Sequence, residues 1–262
     1  MKIVAIHSGT GGVGKSFIAA NLAASIFKLG NQVALFELCK MNILPIHFGE
    51  NLLSDKPSQS SRVADSDSTV AKRHIHSIHD EYHFKKHSLH ADFSLMTTSG
   101  ECFDENLMSA LRFADRMVAH DGIIVLDLPT NIQPVQSELV FDIELEVIAA
   151  EPVSMAVASR RYHNRKDSEF YSDSAHEHFV VINKKDLRSS LSMGAATLIE
   201  ENFSDSVIGA IHHDTIIPDA FAHRSLISNH SPNCQVAMEI NEIALRLVDR
   251  LQVGDIKNKD LA

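Results

Sequence analysis

Apolar residues gather along this chain in short runs, separated by stretches where they recur every three or four positions. The runs read as buried strands and the spaced stretches as helices. Their alternation is the pattern of an α/β fold, a doubly wound and mostly parallel sheet with helices on both faces. Strands are predicted at 3–7, 33–37, 93–96, 122–127, 145–150, 179–183 and 206–209. Residues 16–29 place Ile18, Leu22 and Ile26 on one helical stripe, with Gly30-Asn31 as the stop. Val236, Ile240, Ile243, Leu247 and Leu251 predict a C-terminal helix packed on the sheet. In such a sheet the ligand crevice lies at the C-terminal ends of the strands. Two stretches break the pattern. Residues 54–69 hold six Ser and three Asp with almost no apolar period, and 167–178 (DSEFYSDSAHEH) is similarly polar. The expected organisation is one domain over 1–253, with variable insertions at 54–92 and 167–178 and a frayed polar tail at 254–262.

Composition narrows the function classes. With 262 residues, 44% of them hydrophobic, the chain can bury a full core, and no apolar run reaches bilayer-spanning length. The first residues, MKIVAIHSG, lack the basic and long apolar regions of a secretory leader. Cys39, Cys102 and Cys234 form no CxxC pair, as expected of reduced thiols in the cytoplasm. A net charge of −10 argues against a broad nucleic-acid footprint.

The chemistry concentrates in Gly9-Thr10-Gly11-Gly12-Val13-Gly14-Lys15-Ser16, which match G-x-x-x-x-G-K-[ST] directly after a predicted strand and before a helix. Glycines allow successive backbone N–H groups to curl around a β-phosphate, and the helix N-terminus favours the anion. Lys15 supplies a cation to the β/γ oxygens and the Ser16 hydroxyl can ligand Mg²⁺. Asp127, ending the apolar run from Ile123, is the carboxylate placed to hold Mg²⁺ with Ser16. Leu128-Pro129-Thr130-Asn131 would follow as a switch segment beside the γ-phosphate.

Gly11-Gly12-Val13-Gly14-Lys15-Ser16 resembles the deviant Walker A motif of the MinD/ParA family of P-loop ATPases, and the likeness extends along most of the chain. Asp127-Leu128-Pro129 is similar to the family's switch II segment, and Glu151-Pro152 to the segment after its fifth strand. Val181-Ile182-Asn183 resembles the strand whose Asn contacts the base. Ile211–Asp214, with 219–222 after it, resembles the late element near the nucleotide. Within the family the BcsQ group of bacterial cellulose-synthase operons is most similar, through Cys39–Leu44 with Phe48, Leu126–Pro129, and the I-H-x-D form of Ile211–Asp214. The resemblance implies ATP and Mg²⁺ as cofactors, Lys15 and Asp127 as catalytic groups, and Asn183 and Asp214 as base-side contacts. It also implies an ATP-bound homodimer in the cytoplasm, acting with cellulose-synthase accessory or membrane-complex proteins and reaching the inner membrane peripherally through them. Active positioning ATPases of flagella, pili, plasmids or the septum, and a scaffold with a vestigial loop, are the alternatives.

Three positions depart from the family pattern. Thr10 stands where its signature Lys, a cation acting across the dimer, is expected. The switch I D-x-D reads Glu37-Leu38-Cys39, so a thiol replaces the water-orienting acid. Asn131 replaces a Gly. Losing such a cation or water-orienting group costs about 10³-fold in phosphoryl transfer, so slow or absent hydrolysis is expected. Base choice has a competing signal, because Asn183-Lys184-Lys185-Asp186 spells the N-K-x-D of guanine readers, although the resemblance implies adenine.

Other features carry plainer readings beside sharper ones. Six histidines, His74, His76, His79, His83, His87 and His90, lie close together. On a helix His79, His83 and His87 would share a metal-binding face, or simply a solvated one. Arg160, Arg161, Arg165 and Lys166 form a basic cluster that is either a solvated face or a partner surface. Met41, Met108 and Met117 read as core filling. His7 and Ser8 adjoin the loop without a nucleophile elbow around them.

Overall fold

Strand β1 (Lys2–His7) pairs in parallel with β6 (Ile123–Asp127) on one side and β7 (Ile143–Ala149) on the other, and the sheet grows outward from this centre. The computed structural model describes residues 1–39, 43–49, 75–77, 84–98, 121–130, 141–166 and 177–259. Beyond β6 lie β2 (Val33–Glu37) and β5 (Phe93–Thr98), and beyond β7 lie β8 (Glu177–Lys185) and β9 (Val207–His212), all parallel. Two antiparallel strands, β4 (Phe84–His90) and β3 (Ile75–Ser77), complete the order β3-β4-β5-β2-β6-β1-β7-β8-β9. The doubly wound, mostly parallel sheet read from the alternation is therefore present, with an antiparallel edge.

Helix α1 (Lys15–Lys28) is buried on nearly every side rather than along one stripe, since Ala19, Ala20, Ala23 and Ala24 are enclosed along with Ile18, Leu22 and Ile26. It sits between the sheet and α7 (Gln235–Lys259), and its small residues permit close approach on both sides. Its few polar positions act as ties. Asn21 accepts from the Ile227 amide at 2.9 Å, and Ser25 donates to Asn241 at 2.8 Å. The other face of the sheet carries α3 (Pro152–Lys166) and α4 (Ser190–Phe203), packed on β7 and β8 through Ala158, Val180, Ile182, Ala196 and Phe203. Short helices α2 (Leu44–His47) and α5 (Ile216–Ala222) lie by the turn that follows β1, and α6 (Ile227–His230) lies against α1 through Asn21 and Lys28.

Several boundaries differ from the sequence reading for physical reasons. The expected insertion at 54–92 contains strands β3 and β4. His87 lies on β4, buried and 3.2 Å from Thr97 Oγ1, so it cannot share a helical face with His79 and His83. His74, His79 and His83 lie outside the described residues, as do Asn131, Met41, Met108, Met117 and Cys102. The stretch expected as a tail continues α7 as far as Lys259. Strand β7 begins at Ile143 rather than 145, because Glu144 lies inside the sheet instead of before it.

Candidate functional site

The Gly-rich turn connects β1 to α1 at the centre of the sheet's C-terminal edge. Gly12 and Gly14 have φ values of 73° and 88°, the left-handed region that glycine enters without strain. At Gly14 the requirement is double. A Cβ there would lie 2.4 Å from Asn183 Nδ2, which donates to the Val13 carbonyl at 2.6 Å. Asn183, at the end of β8, thus clamps the turn from behind. Helix α1 begins at Gly14 with no side-chain cap and no acidic residue in its first turn, so its own residues leave the amide end uncompensated. That end, with the Lys15 ammonium and the Ser16 hydroxyl, is an anion cradle.

A cavity of about 700 Å³ opens above the turn. Cys39, His47, Ile217, Pro218 and Phe221 are among the residues that border it. His47 packs against the Phe17 and Phe221 rings at 6.0 and 5.1 Å between centroids, and burial lowers its pKa to about 4, leaving the imidazole neutral. On the cavity floor Lys15 forms a buried ion pair with Asp127 and donates to Cys39 Sγ at 3.4 Å. Burial works against the Lys15 charge, but the Asp127 carboxylate, aided by Cys39, holds its pKa above the ordinary lysine value. Burial pushes the Cys39 thiol up to about 12, Asp127 adds to the effect, and Lys15 opposes it only in part. Cys39 is thus a neutral thiol, whose own proton points toward the Asp127 carbonyl at 3.7 Å.

Glu37 is committed elsewhere. Its carboxyl accepts from the Ile43 amide at 2.6 Å and the Leu44 amide at 3.1 Å, fixing the start of α2. Burial raises its pKa to about 8, against those backbone hydrogen bonds. Thr10 turns inward to Ser154 of α3, 3.1 Å between hydroxyl oxygens. Asp214 borders a neighbouring groove rather than the cavity and accepts from the Ile216 amide at 2.9 Å. Asp186, the acid of the N-K-x-D spelling, is held by Arg188 at 3.1 and 3.4 Å, and that hydrogen bonding lowers its pKa.

The structure therefore gathers Gly12–Ser16, Cys39 and Thr130 around one cavity, with Asp127 beneath and Asn183 behind. Gly9 lies under Arg161, and Gly11 is exposed with open space around it. Arg161 is not the solvated charge expected of the basic cluster, since its side chain is only 12% exposed and faces Glu146. His47, Ile217 and Pro218 were absent from the sequence reading. The only available signal was apolar residues immediately after two motif segments, which is also how core residues look. Two buried acceptor atoms, Asp127 Oδ2 and Asn183 Oδ1, have no hydrogen-bond partner among the described residues. Buried acceptors are normally satisfied.

The family model for cellulose biosynthesis protein BcsQ matches residues 1–248. A curated relative, the flagellum site-determining protein YlxH of Helicobacter pylori, is 23% identical over 98% of this chain and 85% of its own length. Among solved structures, a chain of the MinC:MinD cell division protein complex of Aquifex aeolicus superposes with a TM-score of 0.68 at 19% identity, covering 95% of this chain and 96% of that one. A ParA family ATPase from Chlorobium tepidum gives 0.64 at 16% identity over 94% and 98%. MinD of Pyrococcus horikoshii, solved with Mg-ADP, gives 0.61 at 16% over 94% and 95%. The fold is that of the MinD/ParA P-loop NTPases, and the chain belongs to the BcsQ family of cellulose biosynthesis proteins.

Proposed function

We propose that this chain is an ATP·Mg²⁺-binding switch, acting as an accessory protein of bacterial cellulose synthesis and hydrolysing ATP slowly or not at all. The observation that carries the reading is the contrast between an intact phosphate cradle and a neutral thiol where the chemistry needs a charged group. The residues present fit the nucleotide. Gly9–Ser16 would hold the phosphates, and Ser16 with Asp127 the Mg²⁺. Asp127 Oδ2 and Asn183 Oδ1 are buried acceptors suited to a metal-bound water and to the exocyclic amine of adenine. Bound Mg²⁺ would supply charge neutralisation between the phosphates. The chain's own residues hold, orient and exclude water, and Lys15 would exchange its Asp127 partner for phosphate oxygens.

Cys39 cannot orient water as a carboxylate would, and Thr10 brings no charge across a dimer. The nucleotide state would therefore persist and act by favouring one arrangement of the chain, a homodimer whose new surface recruits cellulose-synthase accessory or membrane-complex proteins. The expected location is the cytoplasm, peripheral to the inner membrane through those partners. Among the described residues no helix is long and apolar enough to cross a membrane. The likeness to a flagellum site-determining protein favours a positioning ATPase as the second reading. Light scattering coupled to size exclusion tests the switch. ATP·Mg²⁺ should convert monomer to dimer and the dimer should survive for many minutes. A monomer at millimolar ATP would sink the proposal, and a dimer that decays with rapid phosphate release would favour the positioning ATPase.

A further inference from the structure

Strands buried on both faces of a parallel sheet are normally apolar throughout. Strand β7 reads Ile-Glu-Leu-Glu-Val-Ile-Ala, and Glu144 and Glu146 are 0% and 1% exposed. Alternation puts Ile143, Leu145 and Val147 into the core beneath α1, and both carboxylates on the opposite face under α3. Register brings two histidines to them. His7, ending β1, is the partner of Glu146, and His178 on β8 is the partner of Glu144. The side-chain contacts run diagonally: His7 Nε2 lies 2.8 Å from Glu144 Oε1, and His178 Nε2 lies 3.3 Å from Glu146 Oε2. Arg161 reaches in from α3, 3.5 Å from Glu146 Oε1 and 3.4 Å from His7 Nδ1. The same guanidinium packs on the phosphate loop, since a Cβ at Gly9 would come within 2.9 Å of it.

A guanidinium only donates, so a neutral His7 would present its lone pair to Arg161 and carry its proton on the nitrogen 2.8 Å from Glu144. An imidazole oriented by a carboxylate on one nitrogen, with a lone pair on the other, is the arrangement of a metal-ligating histidine. One donor atom from each of His7, Glu146 and His178 lies within 4.8 Å of the other two. The 3.3 Å between His178 and Glu146 is close to the ~3.4 Å edge of a tetrahedral shell with bonds of about 2.1 Å. Two histidines and a glutamate are a zinc donor set. His178 is the most accessible of the three, its side chain 14% exposed, and gives the ion a way in.

We propose that His7, Glu146 and His178 form a divalent transition-metal site of zinc type beneath the phosphate loop, with Glu144 orienting His7 and the Arg161 guanidinium as the competing cation. The ion and Arg161 serve the same two groups, so binding of one displaces the other. Metal occupancy thereby bears on the packing against Gly9.

The test uses the tag-free full chain with His74, His76, His79, His83 and His90 changed to Asn, which leaves only the buried His87 of the His-rich stretch, and Zn²⁺ alone as the probe. Titration should give one tight ion per chain, and Co²⁺ should give the visible absorption of a four-coordinate site. His178→Ala should weaken binding by about 10-fold or more. Arg161→Met should tighten it, a gain that a misfolded variant cannot imitate. The proposal is overturned by the absence of a stoichiometric ion at micromolar Zn²⁺, by an affinity unmoved in His178→Ala, or by an Arg161→Met variant that binds no more tightly than the parent.

Discussion

The glycine-turn side of the candidate site and the side formed by Thr10, Glu37 and Cys39 obey different constraints. On the first, every feature is tied to another. Gly14 has no room for a side chain because Asn183 stands against it, Asn183 stands there because it donates to Val13, and α1 carries neither a cap nor an acid at its amide end. On the second, the groups that would act on a γ-phosphate are turned to structural work. Glu37 holds the amides of Ile43 and Leu44, Thr10 faces Ser154, and Cys39 donates toward a backbone carbonyl. On the proposed reading, binding geometry is retained while the groups that would react have become part of the frame. A switch needs only the first.

The sharpest way to break this contrast is to remove the cradle's cation. Lys15→Ala should lower ATP and ADP affinity by at least about 100-fold, near 2.7 kcal/mol, read by titration with a fluorescent nucleotide. Because Asp127 is fully buried, truncation also strands a carboxylate. Lys15→Gln, whose amide can still reach Asp127, separates loss of charge from loss of fold. Unchanged affinity in both variants would mean that the cradle does not hold the nucleotide. The next effect is a gain. Thr10→Lys with Cys39→Asp restores both charged groups, and turnover should rise on the order of 10²-fold or more. A double variant as slow as the parent would place the defect elsewhere.

Legibility in the sequence follows the same division. The glycine motif was readable because one local shape demands those residues, and β1, β2 and β6 were readable because buried parallel strands are apolar on both faces. Strand β4 was not, since Phe84–His90 is mostly polar and its place depends on antiparallel pairing with β5. The opening of β7 was missed because Glu144 looks like a loop residue until His7 is seen against it. Thr10, Glu37 and Cys39 stood out as departures, but their new partners are set by tertiary packing. The rim residues His47, Ile217 and Pro218 could not be told from core.

A smaller effect probes the frame through pH. The Glu37 pKa rises to about 8 in the folded chain, mainly through burial. Between its ordinary value and pH 8 the folded state therefore holds a proton that the unfolded state has released, so raising the pH favours unfolding. Its contribution is fully present near pH 4 and is lost as pH climbs through 8. Glu37→Gln imitates the protonated carboxyl and can still accept from Ile43 and Leu44. Denaturant unfolding from pH 5 to 8.5 should show a flatter decline in this variant, and an identical slope would remove Glu37 from the frame.

The smallest expected effect concerns the base. If Asn183-Lys184-Lys185-Asp186 read guanine, the Asp186 carboxylate would have to face the ligand, and its removal would cost GTP affinity selectively. In the structure that carboxylate is already engaged by the Arg188 guanidinium and backbone amide, the amide at 3.0 Å, and it borders a groove apart from the cavity above the loop. Asn183 is the member of the motif that touches the phosphate turn, and it does so through Val13 whichever base is bound. Asp186→Asn should therefore leave the ratio of ATP to GTP affinity unchanged in a competition titration, whereas Asn183→Ala should weaken both by releasing the turn, and ATP the more through loss of the adenine contact. A selective fall in GTP affinity on Asp186→Asn would show that Arg188 yields its partner to guanine, and the base side of the site would then have to be read as that of a GTPase.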